Sequence, residues 1–133
     1  MVIRKTPTDC EAGNVRFHCS KRVRHSGKKS NHRVLESCPT VLQVLRLNPF
    51  FGLSIPRFHD LRKMRLRAPG LNVGKKGGYR LIYRAIEMDE AVYVMFLAAY
   101  FKGDCEDLPH NEYKVLAAEA ESILSQPMLY DWD

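Results

Sequence analysis

The chain has 133 residues, 45% hydrophobic and 10% aromatic, enough apolar material for one packed domain, which excludes a disordered or fibrous chain. Lys and Arg number 21 against 15 Asp and Glu, a net charge of +6 that points to polyanionic partners, nucleic acid first, and away from basic proteins and cationic substrates. The charge is split along the chain. Residues 1–80 hold 18 Lys/Arg and 4 Asp/Glu (+14), and residues 81–133 hold 3 and 11 (−8), so one part of the molecule carries a field suited to a phosphate backbone. An unevenly charged but merely solvated surface is the plainer reading of the same counts.

The best candidate for a membrane span, Val92–Tyr100, is only of strand length, so a soluble protein with no membrane partner is expected. Met1–Pro7 lacks an apolar stretch followed by a small-residue cleavage site, which reads as a cytoplasmic, reducing location. In that compartment Cys10, Cys19, Cys38 and Cys105, none in a C-x-x-C pair, are expected to be thiols. Cys10, Cys19, His25 and His32 cluster in sequence, but their spacing fits no standard zinc finger.

In chain order, residues 1–14 read as a flexible arm, residues 15–126 as a single domain and residues 127–133 as an acidic tail whose Trp132 is a candidate docking residue. Val15–Cys19 alternates apolar and polar, a short half-buried strand. Lys21–Arg33 is nearly pure charge and turn formers, either an RNA-contacting loop or a solvated connection. From Val34 to Leu47 apolar residues recur at helical spacing. Pro39 is tolerated only in a first turn, so the helix is predicted to begin near Ser37 or Cys38 and to end at Asn48-Pro49. Phe50–Pro56 is predicted as a loop tucked under the core.

Leu61–Arg67 alternates strictly, with Leu61, Lys63, Arg65 and Arg67 on one face and Arg62, Met64 and Leu66 on the other. After the Gly-rich connection Ala68–Gly78, Tyr79–Ile86 reads as a second strand, Glu87–Glu90 as a hairpin turn, and Ala91–Tyr100 as a third strand, apolar on both faces and therefore central. Pro109 opens a helix with Tyr113, Leu116, Ala120, Ile123 and Leu124 on its apolar stripe. The fold class is α+β: an antiparallel sheet packed with N-terminal helices and a C-terminal helix.

Three motifs follow one another between Leu61 and Lys102: Leu-Arg-Lys-Met-Arg-Leu-Arg, then Gly-Lys-Lys-Gly-Gly-Tyr-Arg-Leu-Ile-Tyr, then an apolar strand ending in Ala-Tyr-Phe-Lys. In this order and spacing the chain resembles the RelE/ParE superfamily of bacterial toxins, above all its RelE/HigB-like mRNA interferases, over roughly residues 34–124. The resemblance implies a small microbial-RNase-like domain. It implies a metal-independent endoribonuclease without cofactor, which cuts messenger RNA on the ribosome as the toxin of a type II toxin–antitoxin module. Its partners would be mRNA, ribosomal RNA and a cognate antitoxin, with operator DNA met only through the antitoxin.

The reaction itself needs a 2′-OH activated to attack the adjacent phosphate, cationic donors for the phosphorane and a proton for the 5′-oxygen. By motif position Arg80 would hold the scissile phosphate with its planar fork, and Lys63 and Arg65 would complete a catalytic cradle, Lys63 being the better proton-transfer candidate. Arg62, Arg67, Lys75, Lys76, Tyr83, Tyr100 and Lys102 are the candidate RNA-binding residues, the lysines and arginines on phosphates and the tyrosines on bases. The chain departs from the family pattern in having Gly103-Asp104 after Lys102, where several members carry an arginine, and Leu108 where a C-terminal tyrosine would lie. A ParE-like toxin that inhibits DNA gyrase by binding and a degenerate member that only binds its antitoxin are the alternatives.

Overall fold

A computed structural model describes residues 14–20, 39–66, 79–101 and 107–132. The elements in chain order are β1 (Val15–Cys19), α1 (Pro39–Leu47), β2 (Leu53–Ile55), β3 (Phe58–Leu66), β4 (Tyr79–Met88), β5 (Ala91–Phe101), α2 (His110–Ser125) and a 3-10 turn (Pro127–Leu129). The five strands form one sheet in the order β1-β5-β4-β3-β2. Strands β2 to β5 run antiparallel in sequence order, whereas β1 lies parallel to β5, Phe17 opposite Val94. The domain is therefore α+β as expected, but its sheet is mixed rather than antiparallel.

Among the described residues one helix lies on each face, and strand parity decides which side chains meet which helix. Val15, Phe17, Met64, Leu81, Tyr83, Val92, Val94 and Phe96 face α1, where they bury Val41 and Leu45. Ile55, Leu61, Ile82, Met95, Leu97 and Tyr100 face α2 and pack on its Tyr113, Leu116, Ala120 and Ile123. Strand β5 feeds both cores, which explains why it is apolar throughout.

Two local devices shape the sheet. On β5, Ala98 sits opposite Ile82 while Phe96 sits opposite Tyr83, so Leu97 is an extra, unpaired residue, a β-bulge. The bulge reverses the alternation: Val94 and Phe96 face α1 before it, and Tyr100 faces α2 after it. The second device is the β4–β5 turn at Asp89 and Glu90, whose φ angles of 49° and 68° place both in the left-handed region that a tight two-residue hairpin requires.

Phe50–Pro56 is not wholly a loop, because Leu53–Ile55 forms edge strand β2 against β3. The preceding turn is fixed by Asn48, whose side-chain Oδ1 accepts the Phe50 N–H at 3.1 Å and whose carbonyl accepts the Phe51 N–H at 3.1 Å. Pro39 stands in the first turn of α1, and Arg46 in its last turn lies 4.9 Å from the centroid of the Phe17 ring. No helix among the described residues is long and apolar enough to cross a membrane.

Candidate functional site

Register places Arg65 of β3, Arg80 of β4 and Tyr100 of β5 directly opposite one another, a row across three strands on the α2 face. Lys63 lies two residues from Arg65 on the same face, opposite Ile82. Three cations and a tyrosine are thus gathered by strand pairing alone. Arg65 is exposed, Lys63 keeps 27% of its side chain exposed, and Arg80 is only 4% exposed. A nearly buried guanidinium is held rigidly, which suits it to positioning more than to long-range attraction.

The site is closed on one side by the lead-in to α2. Asp107 Oδ1 accepts Lys63 Nζ at 3.0 Å, the Tyr100 hydroxyl at 3.4 Å, the Leu108 N–H at 2.8 Å and the hydroxyl of Tyr113. Lys63 Nζ also stands 5.9 Å from the centroid of the Tyr113 ring. Burial pushes the Asp107 carboxyl upward, but the hydrogen bonds from Tyr113 and Lys63 outweigh it and hold the group below its ordinary 3.8. Burial, and then the Asp107 carboxylate, push the Tyr113 phenol well above its ordinary range, so Tyr113 keeps its proton and donates it. Phe58 fixes the start of α2 from below, its ring 5.0 Å from that of His110 and 5.6 Å from that of Tyr113.

Farther along the same face, Arg84 of β4 is 9% exposed and binds Glu121 of α2 and, at 3.8 Å, Asp60 of β3. This pair ties the middle of α2 to the sheet, as Lys63 and Asp107 tie its beginning.

The predicted site residues separate by face. Lys63, Arg65, Arg80 and Tyr100 come together; Arg62 and Tyr83 do not. The Arg62 guanidinium donates to the carbonyls of Gly52 at 2.7 Å and Phe50 at 3.1 Å and lies over the Phe50 ring. Tyr83 is fully buried on the α1 side. Both hold the turn before β2 and are not at the cationic row. Arg67, Lys75, Lys76 and Lys102, with residues 1–13 of the arm, the Lys21–Arg33 segment and three of the four zinc candidates (Cys10, His25 and His32), lie outside the described residues. Among the described residues no three His, Cys, Asp or Glu side chains group so as to hold a metal.

Asp107 was not among the sequence candidates. Its contact with Lys63 spans 44 residues, and no local motif announces a carboxylate seated among cations. The bulge at Leu97 was equally silent, although it alone turns Tyr100 toward Arg80.

No protein-family model matches the chain. Among solved structures the chain is similar to the E. coli toxin RelE, a double arginine-to-alanine mutant in the free state, with a TM-score of 0.44 and 19% identity over 78% of this chain and 94% of that one.

Proposed function

We propose that the chain is the toxin of a type II toxin–antitoxin module, a ribosome-dependent, metal-independent endoribonuclease that cleaves mRNA by attack of a 2′-OH on the adjacent phosphate. The observation that carries this reading is the row Arg65, Arg80 and Tyr100 with Lys63 beside it, formed by the residues that the three motifs single out. In the proposed reaction Arg80 grips two phosphate oxygens, Arg65 adds a second fork opposite it, and the 2′-OH gives up its proton to solvent as its oxygen bonds to phosphorus. Lys63 stabilises the phosphorane and delivers a proton to the leaving 5′-oxygen as the P–O5′ bond breaks, regaining it from solvent. The Tyr100 hydroxyl directs a non-bridging oxygen. Lys102, Lys75, Lys76 and Arg67 hold neighbouring phosphates, and the +14 of residues 1–80 draws the chain onto ribosomal RNA. A cognate antitoxin, acidic where it meets this face, silences the enzyme and links it to operator DNA.

The experiment is transcriptome-wide mapping of RNA 5′ ends in bacteria after brief induction of the wild-type chain, beside Arg80→Ala and Arg80→Lys. New ends within translated frames for wild type, absent for both variants, support the reading. Arrested growth without new ends overturns it in favour of a binding toxin of the ParE kind, and absence of arrest leaves an antitoxin-binding protein without chemistry.

A further inference from the structure

One oxygen atom concentrates the polar contacts of the α2 face. Asp107 Oδ1 is met by an ammonium, Lys63 Nζ, by two phenol hydroxyls, Tyr100 and Tyr113, and by the N–H of Leu108. These groups come from β3, β5 and α2, so the fold converges donors on a point. The point lies beside Arg80, since Tyr100 is the strand partner of Arg80 and Lys63 stands one step from Arg65. Such a constellation is what an anionic oxygen requires: short charge-assisted hydrogen bonds in a partly desolvated corner. A non-bridging phosphoryl oxygen carries a similar partial negative charge and accepts hydrogen bonds at similar distances to the carboxylate oxygen that occupies the corner.

Asp107 is not needed there to build the helix. The N-cap of α2 is Pro109, and no side chain caps it; the first turn is closed by the Pro109 carbonyl, which accepts the Glu112 N–H at 2.9 Å. The helix is held down independently by Tyr113, Leu116, Ala120 and Ile123 and by Glu121 on Arg84. The Asp107 side chain is 56% exposed, so it can leave the corner for water without unpacking the core.

We infer that Lys63, Tyr100 and Tyr113 form an oxyanion site for a phosphoryl group, and that the Asp107 carboxylate fills this site in the free protein as an internal stand-in that the ligand must displace. The inference deepens the proposed ribonuclease reading, in which the displacing group is a phosphodiester of the RNA; as an anion site it stands apart from any cleavage. Displacement makes the ligand's affinity the difference between two anions competing for one set of donors, so removing the carboxylate's charge strengthens binding.

The test titrates purified wild-type chain, Asp107→Asn and Asp107→Ser with two probes, inorganic phosphate and a 2′-O-methyl RNA tetranucleotide that lacks the attacking hydroxyl, by calorimetry and amide chemical shifts. The expected result is binding about tenfold tighter in both variants, the scale of one partly exposed charge-assisted contact, with the gain abolished when Lys63→Met is added. A gain for both probes or for phosphate alone shows a site open to free phosphate, and a gain for the oligonucleotide alone shows one built for the polymer; either supports the inference. Unchanged or weaker binding of both probes overturns it, as does a gain that survives Lys63→Met. Asp107→Ser keeps an acceptor for the Leu108 N–H, and thermal melts identify a variant that has lost its fold so that the other is read. Neither arm contains ribosomes or a cleavable bond, so a negative 5′-end map sinks the ribonuclease reading while leaving this result to be judged alone.

Discussion

The Tyr83 hydroxyl accepts the backbone N–H of Gly52 at 2.7 Å, joining the centre of β4 to the turn before β2. A Cβ on residue 52 would lie 2.9 Å from the Lys63 carbonyl oxygen and 2.9 Å from Cε1 of the Tyr83 ring, so only glycine allows the approach. Tyr83→Phe leaves a buried N–H without a partner and is expected to lower stability by about 1–3 kcal/mol. Gly52→Ala is expected to cost as much again, about 1–3 kcal/mol, because the backbone of β3 must move. Urea denaturation, with an unchanged slope and a lower midpoint for each variant, is the check. Phosphate binding at the opposite face stays within twofold of wild type.

That pair also shows what the sequence could and could not disclose. The Arg-Leu-Ile-Tyr motif sets Tyr83 three residues from Arg80, and three is odd on a strand, so the two side chains face opposite helices. Motif proximity suggested one site; parity separates it into two. The same parity rule, applied to Lys63 and Arg65, correctly joined them. Tyr100 reached the site by breaking the rule at the Leu97 bulge, which no residue pattern marks. The helix over Pro39–Leu47, the strands β3 to β5 and α2 follow periodicity closely, whereas the expected helix start near Ser37 or Cys38 lies outside the described residues. Strand β2 is silent in the sequence because three residues between Gly52 and Pro56 carry no period. The parallel pairing of β1 with β5 is a long-range choice that a five-residue alternation cannot encode.

The Asp89-Glu90 turn carries two non-glycine residues at positive φ, and Glu90, at 68°, lacks the short side chain that makes such a backbone tolerable. Glu90→Gly relieves that strain in a turn of the Asp-Gly type and is expected to raise stability by about 0.5–1 kcal/mol. A thermal melt showing a higher midpoint, with unchanged anion binding, bears this out; a lower midpoint would mean that Glu90 holds the hairpin through contacts stronger than the strain.

Asp107 and Tyr113 on the α2 face, with Tyr83 on the α1 face, give the stability a defined pH dependence. Asp107 titrates lower in the folded chain than its ordinary 3.8, so its contribution is complete above about pH 4 and is lost as pH falls through the depressed folded value. Tyr83 and Tyr113 titrate higher than their ordinary 10.0, Tyr83 by burial and Tyr113 by burial and then by Asp107. Stability therefore holds up to about pH 10 and declines above it, where the unfolded phenols ionise and the folded ones resist. Melts from pH 2.5 to 11 are expected to show both limbs. Asp107→Asn flattens the acid limb, and Tyr113→Phe reduces the alkaline slope without removing it, because Tyr83 remains.

At the far edge of the sheet the single tryptophan fastens the C-terminal tail. Trp132 meets the Tyr93 ring edge-on at 4.8 Å, lies 5.4 Å from His18 and donates its Nε1–H to the Pro127 carbonyl at 2.9 Å. The Asp131 carbonyl is 2.9 Å from His18 Nδ1, and Tyr130 closes on the same imidazole at 5.2 Å. The acidic tail is thus packed on β1 and β5 by aromatic contacts. Tyr93 and Tyr100 are seven residues apart on one strand, roughly 20 Å, so the tail is remote from the cationic row. Trp132→Ala is expected to lower stability by about 1–2 kcal/mol through lost edge-to-face contact and burial. Under the proposed ribonuclease reading it leaves the pattern of RNA ends unchanged, and the affinity for phosphate stays that of wild type. In the wild-type chain the tryptophan emission should shift to the red in step with, or slightly before, global unfolding, and a red-shifted spectrum under native conditions would contradict the docked tail.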